Sequence, residues 1–425
     1  MKGLVIAAPS SGQGKTVITL ALLRALVRRG VDVTSAKAGP DYIDPAFHAA
    51  ATGRPSLTLD GFAMPPDQLR ARAAMQPADL LVVEGAMGLL DGAATGGRIG
   101  RGATAEVAAA LELPVICVID AARIGQTAGA LVAGLAAWSP VPLAGVILNR
   151  VASPRHEAML RPAIEETCPV LGVVARSERL SLPARHLGLV QAGETSGLDE
   201  FIEGAAQEFA GQCDLSRLIA AARPVVPGAT PRPIEPLGQR IAIARDEAFS
   251  FTYWHQLADW RAAGAELSFF SPLADQAPEP TADAVFLPGG YPEIHGGKLA
   301  SADEFRRGMA EARARGTLII GECGGYMVLG QGLVDAKGHR HAMLGMLGVE
   351  TSFAERRLHL GYRRVRGLGP IKGSFVAHEF HYATVLSESG NPLFDAQDAT
   401  GAQLPPMGLS EGRVCGSFAH LIETV

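Results

Sequence analysis

One stretch in the second half of the chain, residues 319–325, restricts the fold more than any other. It reads Ile-Ile-Gly-Glu-Cys-Gly-Gly, so two β-branched residues end a buried strand and a cysteine follows between glycines. The spacing Gly321-x-Cys323-x-Gly325 is typical of a nucleophile elbow, a sharp strand-to-helix turn at the edge of an α/β sheet. The next helix, expected from Tyr326 onward, would place its positive end at the sulfur and favour thiolate. The alternative interpretation is a buried structural cysteine.

The composition restricts the class of protein. A chain of 425 residues is long enough for two or three domains, and 48% hydrophobic with 19% charged residues excludes a disordered chain. A net charge of −5 gives no basic field for nucleic acid. Five scattered cysteines without a CxxC pair argue against disulfides and a zinc site. We find neither a signal peptide nor an apolar run of membrane-spanning length, so we expect a cytoplasmic protein without nucleic-acid or membrane partners.

Both halves of the chain alternate apolar runs with amphipathic stretches, which predicts βαβ units around parallel sheets. Between the halves, the segment from Arg223 to Gly238 carries five prolines and predicts a semi-rigid linker. We therefore predict an α/β protein with two domains, residues 1–223 and 238–425, joined by a linker at residues 224–237. The predicted strands are 4–8, 33–36, 80–84, 115–120, 145–149, 240–244, 284–287 and 317–320.

A phosphate-binding loop follows the first predicted strand. Residues 9–16 read Pro-Ser-Ser-Gly-Gln-Gly-Lys-Thr, a Walker A pattern in which Pro9 replaces the first glycine. Lys15 would reach the β- and γ-phosphates, and the Thr16 hydroxyl would hold Mg²⁺. ATP is thus the expected substrate and Mg²⁺ the expected cofactor. The residues whose backbone N–H groups would cradle the phosphates are Gly12, Gln13, Gly14, Lys15 and Thr16.

Polar residues close three further strands of the first half. Because the carboxyl ends of parallel strands meet at one edge of a sheet, we expect these side chains to form one nucleotide–metal site. The residues concerned are Lys37, Asp41 and Asp44 after the second strand, Glu84 and Asp91 after the third, and Asn149 at the end of the fifth. The expected metal ligands are Thr16, Asp44 and Glu84. Three alternatives stay open: residues 37–44 as a solvated turn, Asn149 as a strand cap rather than an adenine contact, and Asp91 as a turn cap.

A cysteine nucleophile needs a base and donors for an oxyanion. The donors are expected from a strand that runs into Pro288-Gly289-Gly290, together with the N–H of Gly324. His420, after a short strand, is the candidate base. A second group of histidines lies at residues 377–382, Ala-His-Glu-Phe-His-Tyr. Its spacing does not put both rings on one helix face, so we interpret His378 and His381 as structural or as lining an interdomain face.

Together these motifs resemble one family, the cobyrinic (or hydrogenobyrinic) acid a,c-diamide synthases. These are ATP-dependent, glutamine-hydrolysing amidotransferases of cobalamin biosynthesis. The motifs occur in the family's order and span nearly the whole chain. The matching segments are 8–16, 39–45, 83–92, 287–293, 321–327, 378–382 and 416–420.

The resemblance implies a dethiobiotin-synthetase-like P-loop domain followed by a class I, triad-type glutaminase domain. Cys323 would be the nucleophile and His420 the base. Ammonia released from glutamine would displace phosphate from a corrin acyl phosphate that is formed with ATP. Lys15 and Lys37 would neutralise phosphate charge, and an enclosed path would carry the ammonia between domains. The carboxylates assigned to the metal and to the ammonia side are Asp41, Asp44, Glu84 and, with less support, Asp91.

The chain departs from the class I pattern at one position. Class I glutaminases place a glutamate two residues after the histidine base, whereas Ile422 stands there and Glu423 comes one residue later. The cobalamin branch shares this departure, so a third triad member stays open. At Ala377 the family commonly has glycine.

Other functions remain compatible with the same motifs. The substrate could be another tetrapyrrole, such as Ni-sirohydrochlorin, or a P-loop regulatory ATPase could carry an inert glutaminase-like domain. Cobyric acid synthase fits the region around Asp41 and Asp44 less well. High Ala, Gly and Arg usage suggests a GC-rich bacterium, which favours the cobalt-free substrate of the aerobic route. The small-molecule partners are a corrinoid carboxylate, glutamine and ATP, and a homodimer is compatible with the sequence. The candidate substrate contacts are Tyr42, Arg98 and Arg101.

Overall fold

The computed structural model describes residues 1–180 and 197–425. Residue contacts divide the chain into two compact units, Met1–Arg232 and Pro233–Val425, and the division falls within the predicted linker segment. Both units are α/β, as predicted. Among the described residues, no helix is both long and apolar enough to cross a membrane.

The first unit is built on a sheet of eight strands in the order β3-β2-β4-β1-β5-β6-β7, with β8 antiparallel to the start of β1. All other neighbours are parallel. The strands are β1 Lys2–Ala7, β2 Val33–Ala38, β3 Leu57–Leu59, β4 Leu80–Glu84, β5 Val115–Asp120, β6 Leu143–Val151, β7 Val170–Ala175 and β8 Arg223–Pro224. The helices are α1 Lys15–Arg28, α2 Asp44–Thr52, α3 Pro66–Ala73, α4 Thr104–Leu111, α5 Thr127–Trp138, α6 Pro154–Glu165, α7 Leu198–Gln212 and α8 Leu215–Ala221.

The central strands of this sheet are apolar on both faces because helices cover both. β4 reads Leu-Leu-Val-Val-Glu, and all five of its residues are buried. Such continuous runs are typical of parallel strands, and the predicted bounds of β4 and β5 are confirmed to the residue. The polar residues at the carboxyl ends of β1, β2 and β4 therefore share one edge of the sheet, since these strands are parallel neighbours.

The second unit contains a sheet of ten strands in the order β10-β9-β11-β12-β21-β20-β19-β16-β17-β22. The pairs from β10 to β21 are parallel, and the remaining pairs are antiparallel. A smaller sheet has the order β14-β13-β15-β18. The strands are β9 Arg240–Ala244, β10 Glu266–Phe270, β11 Ala284–Leu287, β12 Leu318–Glu322, β13 Gly332–Val334, β14 Arg340–Ala342, β15 Val349–Ser352, β16 His359–Gly367, β17 Ser374–His381, β18 Thr384–Glu388, β19 Asn391–Asp398, β20 Met407–Glu411, β21 Val414–Ser417 and β22 Ala419–Thr424.

Four helices belong to this unit: α9 Trp254–Ala262, α10 Gly296–Ala300, α11 Asp303–Ala314 and α12 Gly324–Leu329. Two apolar clusters pack against the large sheet. One contains Cys323 and Tyr326, whose ring meets Phe418 edge-on at 5.3 Å between centroids. The other contains Trp260 packed edge-on against Phe286. The turn that carries Cys323 therefore packs against buried apolar side chains.

Candidate active sites

The loop between β1 and α1 has the backbone that the phosphate-loop motif requires. Gly12 and Gly14 adopt φ angles of +80° and +87°, in the left-handed region that favours glycine. A Cβ atom on Gly14 would also lie 2.4 Å from the Asn149 side-chain nitrogen. Lys15 bends back over the loop, where its ammonium group donates to the carbonyl oxygens of Ser10 and Met87. Burial lowers the pKa of Lys15.

Four of the predicted residues converge beside this loop. The Thr16 hydroxyl donates to Glu84 Oε1 at 2.7 Å, and its oxygen lies 3.5 Å from Asp44 Oδ2. The Lys37 ammonium group donates to Asp44 Oδ2 at 2.5 Å and to Glu84 Oε1 at 2.9 Å. These side chains come from α1, β2, α2 and β4, so the sheet edge brings together groups that are distant in sequence.

The charges of this cluster depend on one another. Burial alone would lower the pKa of Lys37, but Asp44 and Glu84 outweigh it and raise that pKa above its usual range. Burial would raise the pKa of Glu84, yet Lys37 and His48 hold it well below the usual value. Burial and the neighbouring Asp41 charge raise the pKa of Asp44 to about 7. A fixed negative charge on Glu84 therefore lies beside an Asp44 that titrates near neutrality.

His48 belongs to this cluster although the sequence interpretation missed it. The side chain is fully buried, with Nε2 at 2.6 Å from Glu84 Oε2 and Nδ1 at 3.2 Å from the Ser56 hydroxyl. It lies four residues after Asp44 on α2, a spacing that puts two side chains on one face of a helix. That spacing was the signal that could have identified it.

Two predicted carboxylates also serve the local backbone. Asp41 Oδ1 accepts the N–H groups of Ile43 at 2.7 Å and Asp44 at 3.1 Å. Asp91 is exposed, and its Oδ2 accepts the Gly88 N–H at 2.9 Å, so it caps a turn as the alternative interpretation had it. A role of Asp91 at the metal stays a prediction. Two of the candidate substrate contacts, Arg98 and Arg101, are exposed, and the third, Tyr42, is buried.

A cavity of about 970 Å³ lies at the carboxyl ends of β5, β6 and β7. Asn149, on its wall, donates its amide to the Gln13 carbonyl oxygen at 2.9 Å. A second cavity of about 390 Å³ contains the phosphate loop and the Lys37 cluster, and Arg150 lines both cavities. The larger one is within the usual range for small-molecule sites. Its polar lining consists of Gln13, Asp120, Arg123, Asn149, Arg150, Arg176 and Ser177.

The cysteine turn of the second unit has strained backbone. Cys323 adopts φ +48° and ψ −105°, a conformation that costs a non-glycine residue about 1–3 kcal/mol. Its N–H donates to the Ser417 carbonyl oxygen at 2.8 Å, which fastens the turn to β21. A Cβ on Gly325 would lie only 1.9 Å from the Leu287 carbonyl oxygen, so helix α12 packs directly on β11. The helix begins at Gly324, two residues before the predicted start.

The expectation of a thiolate at Cys323 is wrong for the free protein. Burial raises the pKa of this thiol well above its usual range, and the Glu293 charge adds to the rise. The Gly324 N–H lowers it by a smaller amount. A helix of six residues cannot outweigh burial among carboxylates. The thiol must therefore lose its proton to a neighbouring base when it reacts.

His420 follows the short strand β21, as predicted, and lies near the start of β22. Its ring is buried, with 1% exposed, and its strand neighbour in register is His378 on β17. Burial lowers the pKa of His420 to about 3, and His378 and His381 contribute further. The imidazole is therefore neutral at physiological pH, which is the form that accepts a proton. Its Nδ1 lies 3.7 Å from Glu322 Oε2.

Two of the glycines predicted as oxyanion donors, Gly289 and Gly290, lie against His420 and the cysteine turn respectively, and the third, Gly324, belongs to that turn. A Cβ on Gly289 would lie 2.5 Å from His420 Cε1. A Cβ on Gly324 would lie 3.0 Å from the Gly290 nitrogen. The turn after β11 is thus in close contact with both the base and the residue that follows the nucleophile. Donation from these N–H groups to an oxyanion stays a prediction.

The second group of histidines forms a stacked cluster on β16 and β17. His381 stacks on Phe418 at 3.8 Å between centroids and on His359 at 4.6 Å. Ligand atoms of His359, Glu379 and His381 lie within 4.8 Å of one another, close enough to hold a metal ion. However, Arg363 donates to Glu379 Oε2 at 2.8 Å, so the carboxylate already pairs with a cation. This pairing favours the structural interpretation of His381.

Comparisons with known proteins assign a nucleotide-binding domain to the first unit and a glutamine amidotransferase domain to the second. Residues 4–190 match the CobQ/CobB/MinD/ParA nucleotide binding domain, and residues 240–424 match the CobB/CobQ-like glutamine amidotransferase domain. The hydrogenobyrinate a,c-diamide synthase of Rhizobium meliloti (strain 1021) is 54% identical over 430 residues, which cover 100% of this chain and 99% of the relative. The synthase of Rhodobacter capsulatus is 54% identical over 99% of this chain and 98% of the relative. That of Brucella anthropi is 52% identical over 100% and 99% respectively. The chain therefore belongs to the hydrogenobyrinate a,c-diamide synthase family, as its motifs suggested.

Proposed function

We propose that this protein amidates the a- and c-acetate carboxylates of hydrogenobyrinic acid, with glutamine as nitrogen donor and ATP as energy source. The observation that carries this proposal is a phosphate-loop carboxylate cluster and a strained cysteine elbow in one chain. Full-length identity of 54% to a synthase named for the reaction supports it. Each amidation consumes one ATP, one glutamine and one water, and it releases ADP, phosphate and glutamate.

The glutaminase half of the reaction belongs to the second unit. His420 takes the Cys323 thiol proton, and the sulfur attacks the amide carbon of glutamine. The negative oxygen is held by backbone N–H groups of Gly289, Gly290 and Gly324. Ammonia leaves with the proton from His420. Water then hydrolyses the thioester, glutamate departs, and the thiol regains its proton.

The synthetase half belongs to the first unit. A carboxylate is a poor electrophile, so it must be activated before ammonia can attack. A substrate carboxylate oxygen attacks the γ-phosphorus of ATP, the bond to the bridging oxygen breaks, and ADP leaves. Lys15 and Lys37 neutralise charge on the phosphoryl group during this transfer. Ammonia then attacks the acyl carbon and displaces phosphate to give the amide.

The residues beside the phosphate loop fit a magnesium ion. Thr16, Asp44 and Glu84 supply a hydroxyl and two carboxylates, the oxygen ligands that Mg²⁺ prefers. The Thr16 oxygen lies 2.7 Å from Glu84 Oε1 and 3.5 Å from Asp44 Oδ2, the Lys37 ammonium group bridges the two carboxylates, and Glu84 is held ionised. Bound there, Mg²⁺ would neutralise phosphate charge. Because the pKa of Asp44 is about 7 in the free protein, cation binding is expected to release a proton from it.

The larger cavity beside the loop supports ATP as the nucleotide. It lies next to the phosphate loop and shares Arg150 with the smaller cavity, so a base and ribose can occupy it while the phosphates reach Lys15. Asn149 donates its amide to the loop and keeps its carbonyl oxygen for the adenine edge, a role that we assign to it on this geometry.

The test is product analysis with matched substrates. We expect mass spectrometry to detect a diamide from hydrogenobyrinate when ATP, Mg²⁺ and glutamine are present, and none when ATP is omitted. Cobyrinate and Ni-sirohydrochlorin serve as competing substrates. Preferential amidation of either would show that hydrogenobyrinate is not the preferred substrate. ATP hydrolysis that is independent of every tetrapyrrole, with no glutaminase activity, would indicate a regulatory ATPase instead.

A further inference from the structure

We infer that Glu322, the residue immediately before the nucleophile, is the positioning residue that orients the base His420. The inference rests on the glutaminase half of the proposed function. It fills the position left open by Ile422, where class I enzymes carry a glutamate.

The carboxyl group of Glu322, on β12, is hydrogen-bonded to β22, the strand that carries the base. It ends β12 and is 5% exposed. Its Oε1 accepts the N–H of Leu421 at 3.3 Å, and its Oε2 lies 3.7 Å from His420 Nδ1. One oxygen is therefore fastened to β22 while the other faces the ring. At 3.7 Å the two groups are within ion-pair range without a hydrogen bond, and catalytic hydrogen bonds are often formed fully only when the substrate binds.

The two edges of the His420 ring face different groups. Nδ1 faces Glu322, while the opposite edge faces the turn after β11, where a Cβ on Gly289 would lie 3.1 Å from Nε2. If the carboxylate accepts the Nδ1 proton, the neutral ring carries its lone pair on Nε2. That tautomer can accept the Cys323 proton and can later protonate ammonia. The imidazolium formed in between is stabilised by the adjacent carboxylate.

Glu423 is the competing candidate, and the register of β22 explains why. His378 pairs with His420 and Val376 with Glu423, because a bulge lies between β17 and β22. Since alternate residues of β17 share a face, the bulge returns Glu423 to the face of His420. Glu423 is buried too, with 2% exposed. Glu322 makes an ion-pair contact with the ring at 3.7 Å, and the Glu423→Gln variant tests the competing assignment.

Burial gives the pair a pH signature. It raises the pKa of Glu322 to about 8, while the Leu421 N–H lowers it by less. The titratable groups around the pair are Cys323 on the same turn, His378 and His381 on β17, and Glu293 and Glu379 near the sulfur. Protonated Glu322 cannot accept the Nδ1 proton. Glutaminase activity should therefore rise with pH through about 8, as this carboxyl group ionises.

The test compares Glu322→Gln with Glu423→Gln in the full-length protein, with glutamate release as the readout. Glu322→Gln keeps the shape and the acceptor for Leu421, so we expect kcat to fall about 10²-fold with little change in KM for glutamine. The limb of the pH profile near 8 should disappear, because an amide does not titrate. Glu423→Gln should keep both wild-type kcat and profile. Synthesis from free ammonia should be unchanged in both.

A conservative variant covers the case in which Glu322→Gln does not fold. Glu322→Asp should retain the pH-dependent limb at reduced kcat, because it still carries an ionisable carboxyl group. An unchanged kcat and profile in Glu322→Gln would overturn the inference, as would a lost pH-dependent limb in Glu322→Asp or a loss confined to Glu423→Gln. Wild-type protein that hydrolyses no glutamine would instead overturn the proposed function itself.

Discussion

Two of the buried glutamate–histidine pairs, Glu84–His48 in the first unit and Glu322–His420 in the second, differ in what surrounds them. In the first unit, Glu84 lies 2.6 Å from His48 and 2.9 Å from the Lys37 ammonium group, which keeps the carboxylate ionised. In the second unit, Glu322 lies 3.7 Å from His420, and burial raises its pKa to about 8. The same two residue types therefore supply a fixed charge at one site and a titrating pair at the other. A fixed charge suits a cation and phosphates, and a titrating pair suits proton transfer.

The largest effect is expected when the nucleophile is removed, because this change affects one site and leaves the other intact. Cys323→Ser should abolish glutamine-dependent synthesis, with a fall of about 10³-fold or more, because a buried serine hydroxyl loses its proton far less readily than a thiol. Synthesis from free ammonia should continue, since the first unit is untouched. Product formation with each nitrogen donor measures this. Glutaminase turnover retained in this variant would show that Cys323 is not the nucleophile.

A change in the phosphate loop should have the opposite effect, with synthesis lost and glutaminase activity retained. Lys15→Ala should reduce synthesis from both glutamine and ammonia about 10³-fold, because the transferring phosphoryl group loses its cation. Glutamate release should persist. Lys298→Ala, an exposed position on α10, is the control and should behave as wild type. Intact synthesis in the Lys15 variant would remove the loop from the mechanism.

A smaller effect is expected from the histidine of the fixed-charge pair. His48→Asn removes a partner of Glu84 but leaves Lys37 in place, so the carboxylate should stay ionised yet be less well oriented. We expect the Mg²⁺ concentration for half-maximal synthesis to rise about 10-fold, the usual effect of losing a group that orients a metal ligand. Glutaminase kinetics should be unchanged. His156→Asn, on α6, is a control in the same unit. An unchanged Mg²⁺ requirement would show that His48 only fills the core.

The contrast between the sites also shows what sequence can predict. The phosphate loop is contiguous, and β4 and β5 are uninterrupted apolar runs, so local pattern was enough to place them. The acid partner of His420 could not be found that way. Glu322 and His420 meet only because β12 and β22 come together in the folded unit, and motif spacing carries no information on that distance.

Two further errors have physical causes. The thiolate expectation for Cys323 counted the helix end but not the burial, which dominates. The strands β13–β20 were also missed, because most of them mix buried residues with exposed or polar ones and so lack the continuous apolar runs that marked β4 and β5. His48 is different, since its spacing from Asp44 on α2 was visible but was not interpreted.

The smallest expected effect is on stability, and its sign differs between the pairs. The pKa of Glu84 is depressed by folding, so its contribution is present above the unfolded value of 4.5 and is lost as pH falls below it. The pKa of Glu322 is raised to about 8, so the folded state holds an extra proton, and stability declines as pH rises from 4.5 through 8. Glu322→Gln should remove this alkaline decline and raise the unfolding temperature at pH 8 by about 2–4 °C relative to wild type. Glu84→Gln should instead reduce the loss of stability at acid pH. Thermal unfolding of both variants between pH 4 and 9 measures the two slopes, and equal slopes in the two variants would mean that the pairs do not differ in charge.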